Sequence, residues 1–201
     1  MAHETVAPWA EVVPGASYPM RADDLLMLPD DGTTYELVEG RLVKMPPSGV
    51  GASGMAITLA AALHGFVRGN KLGHVSGADG EYVLSRPDEP DTALAPDVAF
   101  VRADRMPSRD STEWDRPWRQ APDLAAEITL PNQFRPEMAE KARIYLSAGT
   151  RLIWIIWPKY KQVDVWRHGA DQPVQTLGIA DSLDGLDVLP GFSYSVADLF
   201  T

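Results

Sequence analysis

Three hydrophobic patterns follow one another along this chain. Residues 35–45, Y-E-L-V-E-G-R-L-V-K-M, alternate on either side of Glu39-Gly40, which predicts a β-hairpin with a tight turn. Residues 54–67 are almost wholly apolar, with Ile57, Leu59, Leu63 and Phe66, and predict a buried helix. The second half carries short strand-forming runs at 81–85, 97–101, 124–129 and 152–157, the last stopped by Pro158. Between the last two lies a helix over 136–148, with Pro136 suited to its first turn and Gly149 to its end. Residues 162–167 and 174–177 read as an antiparallel continuation, and 188–199 closes the chain. Near the start, 1–20 read as an irregular arm rich in Ala, Pro and Val, and 21–27 as a short helix opened by Asp23 and Asp24. Residues 86–95 form a loop holding Pro and Asp. The order helix, three strands, helix, strand makes one α/β unit with hairpins added at both ends, a single domain over 1–201.

Composition narrows this. At 201 residues, the chain is long enough for one domain with a sizeable core. No run of about eighteen apolar residues occurs, so no membrane span is expected. The first residues carry neither a basic nor an apolar leader segment, and there are no cysteines. Disulfides, zinc–cysteine sites and thiol nucleophiles are thereby excluded, and a cytoplasmic protein is expected. The net charge of −10 argues against nucleic acid as a partner, since binders of phosphate usually carry a basic excess. Arg102, Arg105, Arg109, Arg116 and Arg119 fall between two strands and form either a solvated loop or a local basic rim.

Chemistry concentrates in two segments, A-P-D-V-A-F-V at 95–101 and A-P-D-L-A-A-E-I-T at 121–129. Each puts a carboxylate at an end of a stiff strand, Asp97 in the first and Glu127 in the second. Asp123 shares a strand face with Glu127, but four residues at about 3.3 Å each separate them by about 13 Å, too far for one ion. Asp97 on a neighbouring strand is the better partner. In the helix that follows, a step of about 100° per residue gathers Met138, Ala142, Tyr145 and Leu146 into one stripe. Glu140, Arg143 and Ser147 take the opposite face. Lys141 falls on the inward side, where it must either snorkel to the edge or meet an acid such as Glu127. Two fixed carboxylates suit a hard divalent ion such as Mg²⁺ or Mn²⁺, and a lysine beside them can neutralise developing charge. The histidines His3, His64, His74 and His168 show no metal-ligand spacing, and neither a serine elbow nor a phosphate-cradling glycine loop is present.

The ordered set Y-E-L-V-E-G-R-L, A-P-D-V-A-F-V, A-P-D-L-A-A-E-I, E-K-A-R-I-Y-L-S-A-G, L-I-W-I-I-W-P and P-G-F-S resembles the Uma family, which is grouped with restriction endonucleases in the PD-(D/E)xK nuclease superfamily. The resemblance runs from about residue 35 to 200. It implies a restriction-endonuclease-like α/β fold, a mixed sheet flanked by helices. It implies Asp97 and Glu127 as the metal-holding acids, Lys141 as the displaced catalytic lysine, and Glu36 of the first hairpin as a further catalytic and metal-binding acid. It also implies a nucleic-acid partner, DNA first, and a homodimer, because many nucleases cut duplexes in pairs. Three positions depart from the family pattern: Ser53, Leu130 and Trp157 stand where it often has His, Ser and Asp.

A magnesium-dependent nuclease acting on DNA is therefore the leading expectation. A non-catalytic binding or regulatory protein that keeps the nuclease fold is the alternative, favoured by the acidic balance and by Ser53. A two-carboxylate hydrolase of a small substrate ranks last, because nothing specifies its pocket.

Overall fold

A computed structural model of the chain describes residues 8, 9, 11–15 and 18–201. Its strands, in chain order, are β1 (Glu11–Val12), β2 (Tyr35–Val38), β3 (Arg41–Lys44), β4 (Gly73–Gly77), β5 (Tyr82–Val83), β6 (Ala93–Leu94) and β7 (Val98–Arg102). They continue with β8 (Leu124–Ile128), β9 (Leu152–Trp157), β10 (Gln162–Arg167), β11 (Gln175–Leu177), β12 (Ser182–Asp184) and β13 (Ser193–Ser195). The helices are α1 (Ala22–Leu25), α2 (Val50–Asn70), α3 (Arg135–Ser147) and α4 (Val196–Leu199).

Six strands form the central sheet in the order β11-β10-β9-β8-β7-β4. All its pairs are antiparallel except β8 with β9, which are parallel and joined through α3. A parallel pair cannot be closed by a hairpin, so the helix is the crossover that its geometry requires. A second sheet, in the order β1-β3-β2-β6-β5, lies over part of the first. The strands of the central sheet obey the period-two rule. Phe100, Leu124, Ala126, Trp154 and Ile156 face α2 and the C-terminal segment, while Ala125, Ile153, Ile155 and Trp157 face α3 and the second sheet. The mixed α/β architecture is as expected.

The β2–β3 hairpin turns through Glu39 (φ 51°) and Gly40 (φ 73°), both left-handed, as a two-residue turn matched to strand twist demands. Four expectations need correction. The arm is not irregular throughout: Glu11 and Val12 pair with Lys44 and Val43. The rest of that expectation falls partly on residues 1–7, 10, 16 and 17, outside the described residues. The loop at 86–95 contains β6, whose Ala93 pairs with Leu37 and joins β5 to the hairpin. Strand β4 was not expected at all, since G-H-V-S-G alternates too weakly to be read, yet it forms the edge beside β7. Finally, α2 is longer than expected and buries only one stripe, Leu59, Leu63 and Val67. Ile57 on its outer side is 68% exposed. With a mean hydropathy of 1.6, α2 is long and apolar enough by length and composition to cross a membrane, although Ser53, Thr58, His64 and Arg68 interrupt its apolar run.

Candidate active site

The two sheets and α3 meet around four charged side chains drawn from four stretches of chain. Glu36 comes from the second position of β2 in the first hairpin, Asp97 from the residue before β7, Glu127 from the penultimate position of β8 and Lys141 from the middle of α3. Each position follows from local rules. Asp97 and Glu127 sit on neighbouring antiparallel strands, with Val98 opposite Ala126, so their ends lie side by side. Glu127 belongs to the sheet face turned toward α3. Met138, Lys141, Ala142, Tyr145 and Leu146 are the buried stripe of that helix, while Glu140, Arg143 and Ser147 are turned outward or exposed, as the helical period requires.

Lys141 is only 3% exposed, so it does not snorkel to solvent. Its Nζ donates to Glu127 Oε2 at 3.0 Å and to Glu36 Oε1 at 3.4 Å. The hydroxyl of Tyr145, four residues further along the same stripe, donates to Glu127 Oε1 at 2.8 Å. Both oxygens of Glu127 are thus held, one by a cation and one by a neutral donor. Glu36 Oε1 also accepts from the Ala95 amide at 3.1 Å, but its Oε2 is buried without a hydrogen-bond partner. Asp97 is fixed from the other side: its Oδ2 accepts the Ile128 amide at 2.6 Å, which ties it to the residue after Glu127.

One ammonium among two buried carboxylates and the half-buried Asp97 leaves excess negative charge. Burial pushes Glu127 up to about 7, and repulsion from Asp97 and Glu36 adds to this against the pull of Lys141. Asp97 is also raised by burial, against the Ile128 amide and Lys141. Burial alone would lower Lys141, but Glu127 and Glu36 outweigh it and hold the ammonium above its ordinary value. Tyr145 is raised far above the usual phenol range by burial and the same carboxylates, so it stays a donor.

Sequence reasoning missed two members. Tyr145 was placed on the inward stripe but read only as packing; its spacing of four from Lys141 was the available signal. Glu81, just before β5, is half-buried, and burial together with the Glu36 charge pushes its carboxyl to about 7. A lone glutamate before a two-residue strand carries no sequence signal. Asp123, the competing acid, is structural: it is paired with Arg105 at 2.9 Å and accepts the Arg102 amide at 2.9 Å. The loop arginines are mostly committed to acids as well, Arg102 to Asp104, Arg116 to Asp23 and Arg119 to Asp91. Arg109 instead lies over Trp114 at 4.7 Å. Of the departing positions, Leu130 and Trp157 line one groove beyond the end of β8, and Ser53 is exposed in the first turn of α2.

The donor set is all carboxylate oxygen, and the orphaned Glu36 Oε2 is an unpaired acceptor in a buried place, so the residues fit a hard cation. As the side chains stand, no three metal-ligating groups cluster tightly enough among the described residues to hold one. Lys141 bridges Glu36 and Glu127 instead.

Comparison with known proteins agrees with this arrangement at the level of fold. The family model Uma2, described as "Putative restriction endonuclease", matches residues 22–197. A crystal structure titled as a putative nuclease belonging to DUF820, from Anabaena variabilis ATCC 29413, superimposes with a TM-score of 0.72 at 20% identity, covering 90% of this chain and 98% of that one. No curated protein matches the chain.

Proposed function

The chain belongs to the Uma2 family, and from that membership we propose that it is a Mg²⁺- or Mn²⁺-dependent nuclease that hydrolyses phosphodiester bonds in DNA. The observation that carries the reading is the buried Lys141 ammonium held between Glu127 and Glu36, with Asp97 beside them. Buried ionic groups are costly to maintain, and a cluster with more acids than cations is poorly explained by stability alone.

Asp97 and Glu127 would hold the cation, with Glu36 assisting through its free oxygen. When bound, the ion would polarise a phosphoryl oxygen and lower the pKa of an attacking water. Lys141 stays protonated, so it serves as a fixed positive charge beside the phosphate rather than as a base. Tyr145 orients Glu127 by holding one of its oxygens. Glu127 and Glu81 are the members that change charge near neutral pH, so cation binding competes with protonation there.

The test is cleavage of single- and double-stranded DNA and RNA with and without Mg²⁺, by the native protein, Glu127→Gln and Lys141→Met, each checked for folding by thermal melting. Metal-dependent cutting of DNA that is lost in both folded variants supports the proposal. Absence of cutting by native protein on every substrate overturns it. That result would favour a nuclease-fold binding or regulatory protein, for which the specific observation is that Lys141 is already fully ion-paired.

A further inference from the structure

A groove of about 410 Å³ opens beyond the carboxyl ends of β8 and β9, within the usual range of ligand pockets of roughly 300–1,000 Å³. Its walls include Phe134, Trp157, Lys159, Tyr160, Gly51 and Met55. Phe134 is 63% exposed and Tyr160 54% exposed. Among the described residues, the only other exposed Phe, Tyr or Trp is Tyr18, at 40%. Two of three such rings therefore stand in one groove, where each gives up contact with the core. The Lys159 ammonium lies over the Tyr160 ring at 5.6 Å, and the Arg135 guanidinium over Trp157 at 5.0 Å. Arg135 is neutralised by Asp164 and Gln162 accepts from it, whereas Lys159 forms no ion pair among the described residues. On a chain of net charge −10, this places a cation and open aromatic faces together.

The groove also adjoins the acids. Thr129 and Leu130 line it, and Thr129 lies two residues past Glu127, about 7 Å along the strand. A polymer whose phosphate reached Asp97 and Glu127 would pass this groove next.

We propose that the groove between Phe134 and Tyr160 receives an unpaired nucleobase of a single-stranded nucleic acid, with Lys159 meeting its backbone phosphate. Aromatic rings bind bases through their π-faces, which a duplex keeps stacked and closed, so the groove selects single strands or frayed ends. This rests on the nuclease reading and names its substrate class.

The experiment is fluorescence anisotropy of a labelled single-stranded oligothymidine, and of a matched duplex, titrated with native protein and with Phe134→Ala, Tyr160→Ala and Tyr160→Phe. Both alanine positions are exposed, and Tyr160→Phe keeps the ring. Cleavage by the same proteins is recorded in parallel. The expected result is tighter binding of the single strand than of the duplex. Each alanine variant should weaken single-strand binding about 5- to 150-fold, the range for loss of one stacked base, while Tyr160→Phe retains it. Unchanged single-strand binding in both alanine variants overturns the inference, and if the native protein still cuts, the nuclease reading stands without it. Weakened binding in the variants with no cutting by any protein supports the groove and removes the catalytic reading. No binding of either oligonucleotide overturns the inference, as does a change in the variants' sedimentation alone, which would make the groove a contact between copies of the chain.

Discussion

Tyr145 donates its hydroxyl to Oε1 of Glu127 at 2.8 Å, one helical turn beyond the lysine that holds Oε2. The two donors of α3 therefore grip both oxygens of one carboxylate on β8, and the helix and strand are locked in register by polar contacts inside an apolar layer. A buried carboxylate gripped in this way is sensitive to loss of either donor.

Tyr145→Phe removes one hydroxyl and leaves the ring in place. The expected cost is about 1–3 kcal/mol, because Glu127 Oε1 is left buried without its partner. Denaturant unfolding at pH 8, where Glu127 is ionised, measures this. Equal midpoints for variant and native protein would show that the contact does not hold Glu127.

Lys141→Met keeps the length of the side chain and deletes its charge. Three neighbouring carboxylates then have no cation, and the expected loss is about 3–5 kcal/mol at pH 8. At pH 5.5 the loss should shrink, because Glu127 takes up a proton. The double variant Lys141→Met with Glu127→Gln should recover part of the stability. A loss independent of pH would point to packing rather than charge.

Acid should stabilise this protein over part of its range. Glu127 and Glu81 are raised from 4.5 to about 7 in the folded chain, so the folded state binds more protons than the unfolded state between those values. Their contribution is full below about pH 4.5 and is lost as pH rises through about 7. Melting temperature should fall from pH 5.5 to 8, and Glu127→Gln should flatten that slope. A slope of the opposite sign that persists in native protein would contradict the raised carboxyls.

Millimolar Mg²⁺ or Mn²⁺ should raise the melting temperature, by an amount corresponding to about 2.7 kcal/mol when the free ion is at 100 times its Kd. The rise should be larger at pH 8 than at pH 6, since protons on Glu127 compete with the ion. Asp97→Ala should abolish it. A rise that survives in Asp97→Ala places the ion elsewhere.

Much of this arrangement was legible in the chain, and the reasons differ by residue. Lys141 could be placed inward because a helix has a fixed period and its neighbours Met138, Ala142 and Tyr145 mark the buried stripe. Asp97 could be preferred over Asp123 because strand rise sets distance. Glu36 was legible only through resemblance, since nothing local shows that a hairpin residue will reach a helix 105 positions away. Strand β4 was hidden because pairing with β7, not its own composition, makes it a strand. The exposure of α2 was hidden for the converse reason. Its first fourteen residues, 50–63, carry no charged side chain, and only His64 and Arg68 further along mark the outer face that Ile57 shares, so the three-dimensional fold decides that Leu59, Leu63 and Val67 are covered while Ile57 is not.

The contact between Lys141 and Glu36 also bears on the order in which the molecule assembles. The β8–α3–β9 crossover joins its strands through one helix and can form early, whereas Glu36 arrives only when the hairpin sheet docks, after a 105-residue loop has been closed. Until then Lys141 has one acid instead of two. The Ala95 amide, bonded to Glu36 Oε1, and the Ile128 amide, bonded to Asp97 Oδ2, lie on opposite sides of that seam. Their hydrogen-exchange rates therefore report separately on opening of the short β2–β6 pairing within the hairpin sheet and on separation of β7 from β8 in the central sheet, and the first opening should be the more frequent.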